Sequence, residues 1–569
     1  MHSLILNWLT LAGAIFSPAI ASPLASAASV APGQQRCAAF SQTLSIPNVT
    51  LVSTAHYPSQ ANISVTGLVA SCASDTGTTF TAPTDLCRIV INVATSPSSK
   101  VRLEAWLPDS WKGRLLSTGT GGIGGCIEHT ALQMGSSMGF AVVGTNAGHD
   151  GSSGFDFFLN HPETIVDFGH RAIHVEAVVG RQLAAQYYGG EASHSYYAGC
   201  STGGRQGFTS ALLYPEDFDG VLLGAAAIDW LHIVASKAVL AERMGWPDLA
   251  SPRYIPPSSW SAIEAAMIRK LDPLDGVVDG VIDEPHSLDF DFSLLGCASA
   301  TPLLNATVCL TDVQVEAIRT VYQPVKSAAG QDVYPSFDLG SATGVFSNNQ
   351  FPAGVANLTY RVLDDYWRGA VYNDTTWSSQ QFNLSQMDFA VELNPGQINY
   401  AGGVSHDLSK FRNRGGKVLT YHGSSDVTVT SALALRTYDR VSEALGSLNA
   451  AEMQEFYRLF YVPGHMHCSG GAGAWTMGQT SAPNQFVNFG GNGEFADRRH
   501  SLLMAMVAWV EDGVAPDYMV GTKFVNDNVI SGQVAAQRRQ CPWPHRSKWN
   551  GVGDTKEEGS WECVLHDGA

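Results

Sequence analysis

Ser195-Tyr196-Tyr197-Ala198-Gly199-Cys200-Ser201-Thr202-Gly203-Gly204-Arg205-Gln206-Gly207 reads as a buried strand, a sharp glycine turn and the start of a helix running from Thr202 to Leu213. Its centre is G-x-S-x-G, an elbow that exposes a serine hydroxyl on a strained turn, with flanking glycines relieving the crowding. The residue before the serine is a cysteine. Far along the chain, Gly464-His465-Met466-His467-Cys468 sets a histidine directly before another cysteine. If Cys200 and Cys468 are bonded, their Cα atoms lie about 4.4–6.8 Å apart, and the neighbours Ser201 and His467 come within reach of each other. Closing so long a loop would also stabilise the fold by on the order of 5 kcal/mol in the chain-entropy model.

A serine hydroxyl is a poor nucleophile until a base takes its proton and a carboxylate orients that base. His465 competes with His467 as the base, and His467 is preferred because its neighbour carries the clamp. The carboxylate is expected at Asp426, in His422-Gly423-Ser424-Ser425-Asp426, just after the buried strand Lys417–Tyr421. Tyr457–Val462 is a second such strand and leads into the His467 loop. Taken singly, Asp426 is a turn residue, His467 a loop histidine, and the glycine-flanked serine unremarkable in a chain with 57 glycines. In the chain order Ser…Asp…His, each after a core strand, they match the arrangement α/β-hydrolases use. The oxyanion donors are expected to be the N–H of Thr202 and an N–H of the Gly119–Gly125 loop, with Gly121 or Gly122 as the donor.

Outward from the elbow, Val101–Trp106, Arg114–Thr118, Phe140–Gly144 and Gly220–Gly224 read as strands, and Arg171–Tyr188 and Ser501–Asp512 as amphipathic helices. From about residue 227 the βα rhythm gives way to helical pieces, prolines and sequons. The expectation is an α/β fold: an α/β-hydrolase core in two parts, 22–226 and 406–569, with a large inserted lid domain over 227–405.

The 569 residues carry 45% hydrophobic and 15% charged side chains, a globular balance. A formal charge of −18 argues against nucleic acid and anionic membrane as partners. Residues 1–21 read as a signal peptide with an apolar core ending in Ala19-Ile20-Ala21, and no later segment is apolar enough to span a membrane. Ten cysteines without a CxxC pair, and N-x-S/T sequons at Asn48, Asn62, Asn305, Asn357, Asn373 and Asn383, also point outside the cell. Within the insertion, Asp272-Pro273-Leu274-Asp275-Gly276-Val277-Val278-Asp279-Gly280-Val281 spaces three carboxylates among tight-turn glycines. With the carbonyls of Val277 and Val281, that set suits a hard cation, although the spacing is not that of an EF-hand. A solvated acidic turn is the alternative reading, and an ion here would be structural.

From about Cys37 to Cys563 the chain resembles the tannase/feruloyl esterase family of α/β-hydrolases, through its Cys200-Ser201, Asp426 and His467-Cys468 arrangement. The resemblance implies a lid domain over the insertion and structural calcium held by Asp272, Asp275, Val277, Asp279 and Val281, with no organic cofactor. It also implies the pairs Cys37–Cys87, Cys72–Cys126, Cys297–Cys309 and Cys541–Cys563. Some fungal members have a further cysteine where this chain has Leu271, so one lid disulfide is expected to be absent. The elbow sequence Gly203–Gly207 looks more like feruloyl esterases of type B than tannases. The expectation is thus a secreted serine esterase that cleaves hydroxycinnamic (ferulic-type) esters from plant cell-wall polysaccharide such as xylan through an acyl-enzyme. A tannase cleaving galloyl esters is the alternative within the class. A non-catalytic extracellular binding protein on a hydrolase scaffold and a secreted serine peptidase are the alternatives outside it.

Overall fold

Short apolar runs build the centre of the molecule, because strands covered by helices on both faces must be hydrophobic on both sides. The computed structural model describes residues 32–246, 248, 250–341, 361–399 and 406–566. The leader expected over 1–21 and the sequon at Asn357 lie outside the described residues. Nine strands form one sheet: β1 (Val49–Tyr57), β2 (Leu86–Ala94), β3 (Lys100–Pro108), β4 (Arg114–Thr118), β5 (Phe140–Thr145), β6 (His194–Cys200), β7 (Gly220–Gly224), β8 (Lys417–Gly423) and β9 (Tyr457–Val462). Their spatial order is β1-β2-β3-β5-β4-β6-β7-β8-β9. Strands β1, β2 and β3 pair antiparallel, β3 meets β5 antiparallel, and every pair from β5 to β9 is parallel.

Alternate side chains on each strand feed opposite layers. Leu116, Phe140, Val142, Tyr196, Ala198 and Leu222 join a core shared with α1 (His129–Ser137) and the closing helix α6 (Leu502–Asp512). Tyr197, Val221 and Leu223 face a core with α2 (Ala172–Tyr188), α3 (Thr202–Leu213) and α5 (Ala432–Ala444). The expected Arg171–Tyr188 helix begins at Ala172, with one wide π-type turn, Asp167–Arg171, ahead of it. Ser501 caps α6, its hydroxyl accepting the Met504 N–H.

Among the described residues, none between β7 and β8 adds a strand to this sheet. That span carries α4 (Trp230–Arg243), whose buried Trp230, Leu231 and Val234 continue the hydrophobic core out of the sheet, followed by further helices and turns. Beyond α6 the chain leaves the sheet and forms two antiparallel ribbons, Met519–Phe524 with Val534–Gln540 and His545–Trp549 with Trp561–Leu565. The disulfide Cys541–Cys563 joins the segments of the two ribbons. Arg538 ties this end to the 227–405 segment through both oxygens of Asp283, at 2.8 and 2.7 Å.

One buried charge cluster locks α1 onto the sheet. Glu104 on β3 accepts two hydrogen bonds from Arg88 (2.6 and 2.8 Å) and one from the Trp106 indole (2.8 Å), and lies 3.4 Å from His129 at the start of α1. Burial works against its charge, but His129 and Arg88 outweigh it and hold the carboxyl well below the usual range. A depressed carboxyl stabilises the fold above its ordinary value of 4.5 and loses that contribution as pH falls below it. Glu104→Gln leaves Arg88 without its buried counter-charge and is expected to cost about 3 kcal/mol at neutral pH. The thermal midpoints of parent and variant should converge as the pH is lowered below 4.5, and a gap that stays constant with pH would contradict the charge account.

Candidate active site

The elbow is strained where the serine sits. Ser201 has φ 61° and ψ −122°, a conformation few non-glycine residues adopt. Neighbouring elements hold it there: its N–H donates to the Gly224 carbonyl (2.9 Å), and its own carbonyl accepts from Arg205 (3.1 Å) and Ala227 (3.0 Å). Gly199 is required by close approach, since a Cβ there would stand 2.8 Å from the Gly203 carbonyl carbon. The Tyr197 hydroxyl donates to the Gly203 carbonyl at 2.7 Å and fixes the first turn of α3.

Cys200 and Cys468 are bonded, with their Cα atoms 5.9 Å apart across 268 residues of chain. Cys37–Cys87, Cys72–Cys126, Cys297–Cys309 and Cys541–Cys563 are bonded as well, and no described cysteine is free. Ser201, His467, Cys200 and Cys468 line one cavity of about 260 Å³, together with Gly119–Gly122, Glu128, Thr480 and Ser481. No hydrogen bond joins Ser201 Oγ to His467 Nε2; in substrate-free sites such bonds are commonly long and tighten in the complex.

On its other side, His467 Nδ1 lies 2.7 Å from Asp426 Oδ2. Asp426 is fully buried, and its Oδ1 accepts the N–H groups of Thr428 (2.7 Å) and Val429 (2.9 Å). A second imidazole, His422 Nε2, reaches the same Oδ2 at 3.1 Å and the Val429 carbonyl at 2.9 Å. Burial alone would push the Asp426 carboxyl up. His467 and His422 reverse that and keep it ionised far below the usual carboxylate range. His465, the competing base, is turned elsewhere. Its Nδ1 bonds the Gly470 carbonyl (3.0 Å), its ring lies flat against Trp475, and burial lowers its pKa to about 4.

The Gly119–Gly125 loop forms the facing wall and is pinned from behind. Gln206 accepts the Thr120 N–H (3.0 Å), Thr202 Oγ1 donates to the Gly122 carbonyl (2.6 Å), and His149 bonds the Ile123 carbonyl (2.7 Å). Gly122 has φ 58°, so the loop turns where a side chain would strain it. Thr202 opens α3, so its N–H lies outside the helix ladder, whose first bond is Arg205 to Ser201. Gly121 and Gly122 border the cavity opposite Ser201.

Sequence reasoning missed three contributors. His422 stands one loop before Asp426, a polar residue in an otherwise buried strand, and that pattern was its signal. Gln206 lies one helical turn past the elbow. Glu128 follows the glycine loop and opens into the cavity, and it had no motif to mark it.

At the expected cation loop, Asp272 accepts the N–H groups of Asp279 (3.2 Å) and Gly280 (3.0 Å), Asp275 accepts that of Val277 (2.8 Å), and Asp279 that of Val281 (3.1 Å). Burial, with Asp283 beside them, pushes Asp275 up to about 8 and Asp279 to about 6. Among the described residues, no group of three or more His, Cys, Asp or Glu side chains converges as a metal site. Both oxygens of Asp272 accept the loop's own amides, which closes the turn around the three aspartates.

A mixed sheet whose parallel half carries a strained elbow, a glycine loop facing it and a buried aspartate–histidine pair at the ends of its strands defines an α/β-hydrolase. Residues 87–564 match the family model described as tannase and feruloyl esterase. The chain is 36% identical over 550 residues to a probable feruloyl esterase B-2 of Aspergillus oryzae, covering 96% of this chain and 98% of that protein. It is 35% identical over 551 residues to feruloyl esterase B of Aspergillus niger, with the same coverage. The crystal structure of feruloyl esterase B from Aspergillus oryzae superposes with a TM-score of 0.84 at 33% identity, over 93% of this chain and all of that one. Tannin acyl hydrolase from Aspergillus niger shares the fold, with a TM-score of 0.67 at 23% identity over 92% of each chain. The chain belongs to the tannase and feruloyl esterase family.

The clamp makes a testable distinction between a staple and a positioning device. Replacing both sulfurs, Cys200→Ala with Cys468→Ala, is expected to lower kcat by more than about tenfold, because small misplacements of reacting groups cost factors up to about 100. Ester turnover at a temperature where circular dichroism shows the variant folded checks this, and parental turnover would reduce the bond to a staple.

Proposed function

We propose that this chain is a secreted serine esterase that releases hydroxycinnamic acids of the ferulic type from esters with plant cell-wall polysaccharide. The observation that carries the reading is the single cavity lined by Ser201 and His467, with His467 held 2.7 Å from a buried, ionised Asp426. Ser201 attacks the ester carbonyl while His467 takes its proton. The N–H groups of Thr202 and of Gly121 or Gly122 stabilise the oxyanion, His467 returns the proton to the departing alcohol as the ester C–O bond breaks, and the acyl-enzyme is hydrolysed by water that His467 activates. Residues 227–405 act as a lid between two core parts, 22–226 and 406–569, a division supported by the described residues of that span adding no strand to the nine-stranded sheet. Secretion, with removal of residues 1–21, is supported by five disulfides and by exposed sequon asparagines at 48, 62, 305, 373 and 383. No helix among the described residues is long and apolar enough to cross a membrane.

Ser201→Ala is expected to lower kcat on methyl ferulate by on the order of 10⁶-fold with the fold intact. In the parent, methyl ferulate and methyl caffeate should turn over faster than methyl gallate. Undiminished turnover by the variant would refute the nucleophile, and a preference for methyl gallate would refute the acyl assignment.

The same reading places structural calcium at the 272–281 loop, held by the Asp272, Asp275 and Asp279 carboxylates with the Val277 and Val281 carbonyls. Buried adjacent carboxyls on turns closed by their own amides are the chemistry a hard cation takes. Millimolar calcium should raise the thermal midpoint of chelator-treated protein, and Asp275→Asn with Asp279→Asn should abolish that rise. A midpoint indifferent to calcium in the parent would exclude the site.

A further inference from the structure

Glu128 lies in the cavity of Ser201 and His467, yet no step of the hydrolysis described above uses it. Its backbone is fixed on both sides. Cys126, two residues before, is bonded to Cys72, and His129, the residue after, is held between Glu104 (3.4 Å) and the ring of Phe80, centroids 4.7 Å apart. The Glu128 carbonyl accepts the N–H groups of Ala131 (3.0 Å) and Leu132 (3.2 Å) as α1 begins. The side chain alone is uncommitted: among the described residues its carboxyl has no hydrogen-bond or ion-pair partner. Its Oε1 sits against the glycine loop, 3.7 Å from where a Cβ on Gly121 would stand.

Recessed polar groups are ordinarily satisfied, and one left open in a reaction cavity is poised for a ligand. We propose that Glu128 is a specificity residue that hydrogen-bonds a hydroxyl of the bound ester. Burial, with Asp75 of the helix Ala70–Thr76 as the nearby like charge, pushes its carboxyl up to about 7. Below that value it carries a proton to donate and adds no negative charge beside the developing oxyanion. Both ends of a feruloylated sugar present hydroxyls, the phenolic one on the acyl side and the sugar's on the alcohol side. The inference rests on the esterase reading above and adds to it the group that selects hydroxylated esters.

Substrate pairs separate the two sources. Methyl ferulate against methyl cinnamate varies the acyl-side hydroxyl, and feruloylated arabinose against methyl ferulate varies the alcohol side. Glu128→Ala is expected to lower one of these two kcat/KM ratios roughly threefold to tenfold, the loss of one hydrogen bond. Glu128→Gln, which can still donate and accept, should keep the same ratio within about twofold of the parent. A fall in the first ratio assigns the phenol and a fall in the second assigns the sugar. Equal losses on all three esters, or none on any, would overturn the proposal, since a structural role moves every substrate together. Thermal midpoints at parental values show that both variants are folded. A parent that cleaves none of the three esters would instead overturn the esterase reading and not the role of this carboxyl.

Discussion

The Cys200–Cys468 bond joins two stretches of backbone that are each bent into the left-handed region, Ser201 with φ 61° and Cys468 with φ 61°. Neither conformation is comfortable for a residue with a Cβ, and each costs on the order of 1–3 kcal/mol and persists only where its surroundings dictate it. Here they do. The sheet supplies Gly224 as acceptor for the serine amide, Gly199 lets the helix close in, and the crosslink sets the histidine loop against the elbow. The rest of the site is arranged around that joint: the glycine loop on one side, the buried aspartate on the other.

Electrostatics then divide the buried acids by task. Asp426 stays ionised because two imidazoles and two backbone amides face it. Glu176, which accepts the Thr118 N–H, is pushed well above the carboxylate range by burial. Asp338, hydrogen-bonded to Ser431 behind the triad, is raised to about 7, as is Glu128 in the cavity. Environments that push carboxyl groups apart in this way let one cavity hold an ionised acid beside an imidazole while raising the other acids toward their neutral form.

Much of this was legible in the sequence, and for definite reasons. Runs such as Phe140–Gly144 and Gly220–Gly224 declare themselves because both faces are covered, and the elbow declares itself because only glycines tolerate its contacts. The edge strand Val49–Tyr57 does not, since its Thr, Ser and His side chains lie partly in solvent and break the apolar pattern. The ribbons after residue 519 are set by one disulfide and by Arg538 gripping Asp283, contacts without a local signature. Of the site, Ser201, Asp426 and His467 could be picked out because strand ends and cysteine neighbours mark them, and the structure brings the three together. His422, Gln206 and Glu128 are brought to the site by three-dimensional proximity alone, and the spacing of the 272–281 carboxylates does not reveal that Asp272 takes up its loop's own amides.

Because the crosslink spans 268 residues, the halves of the site are made at very different moments of translation. Ser201 leaves the ribosome long before His467, and the segments that carry them are joined only where thiols are oxidised. On the proposed function, a chain kept reduced would hold Ser201, Asp426 and His467 without that covalent joint, and its esterolytic competence would depend on oxidation.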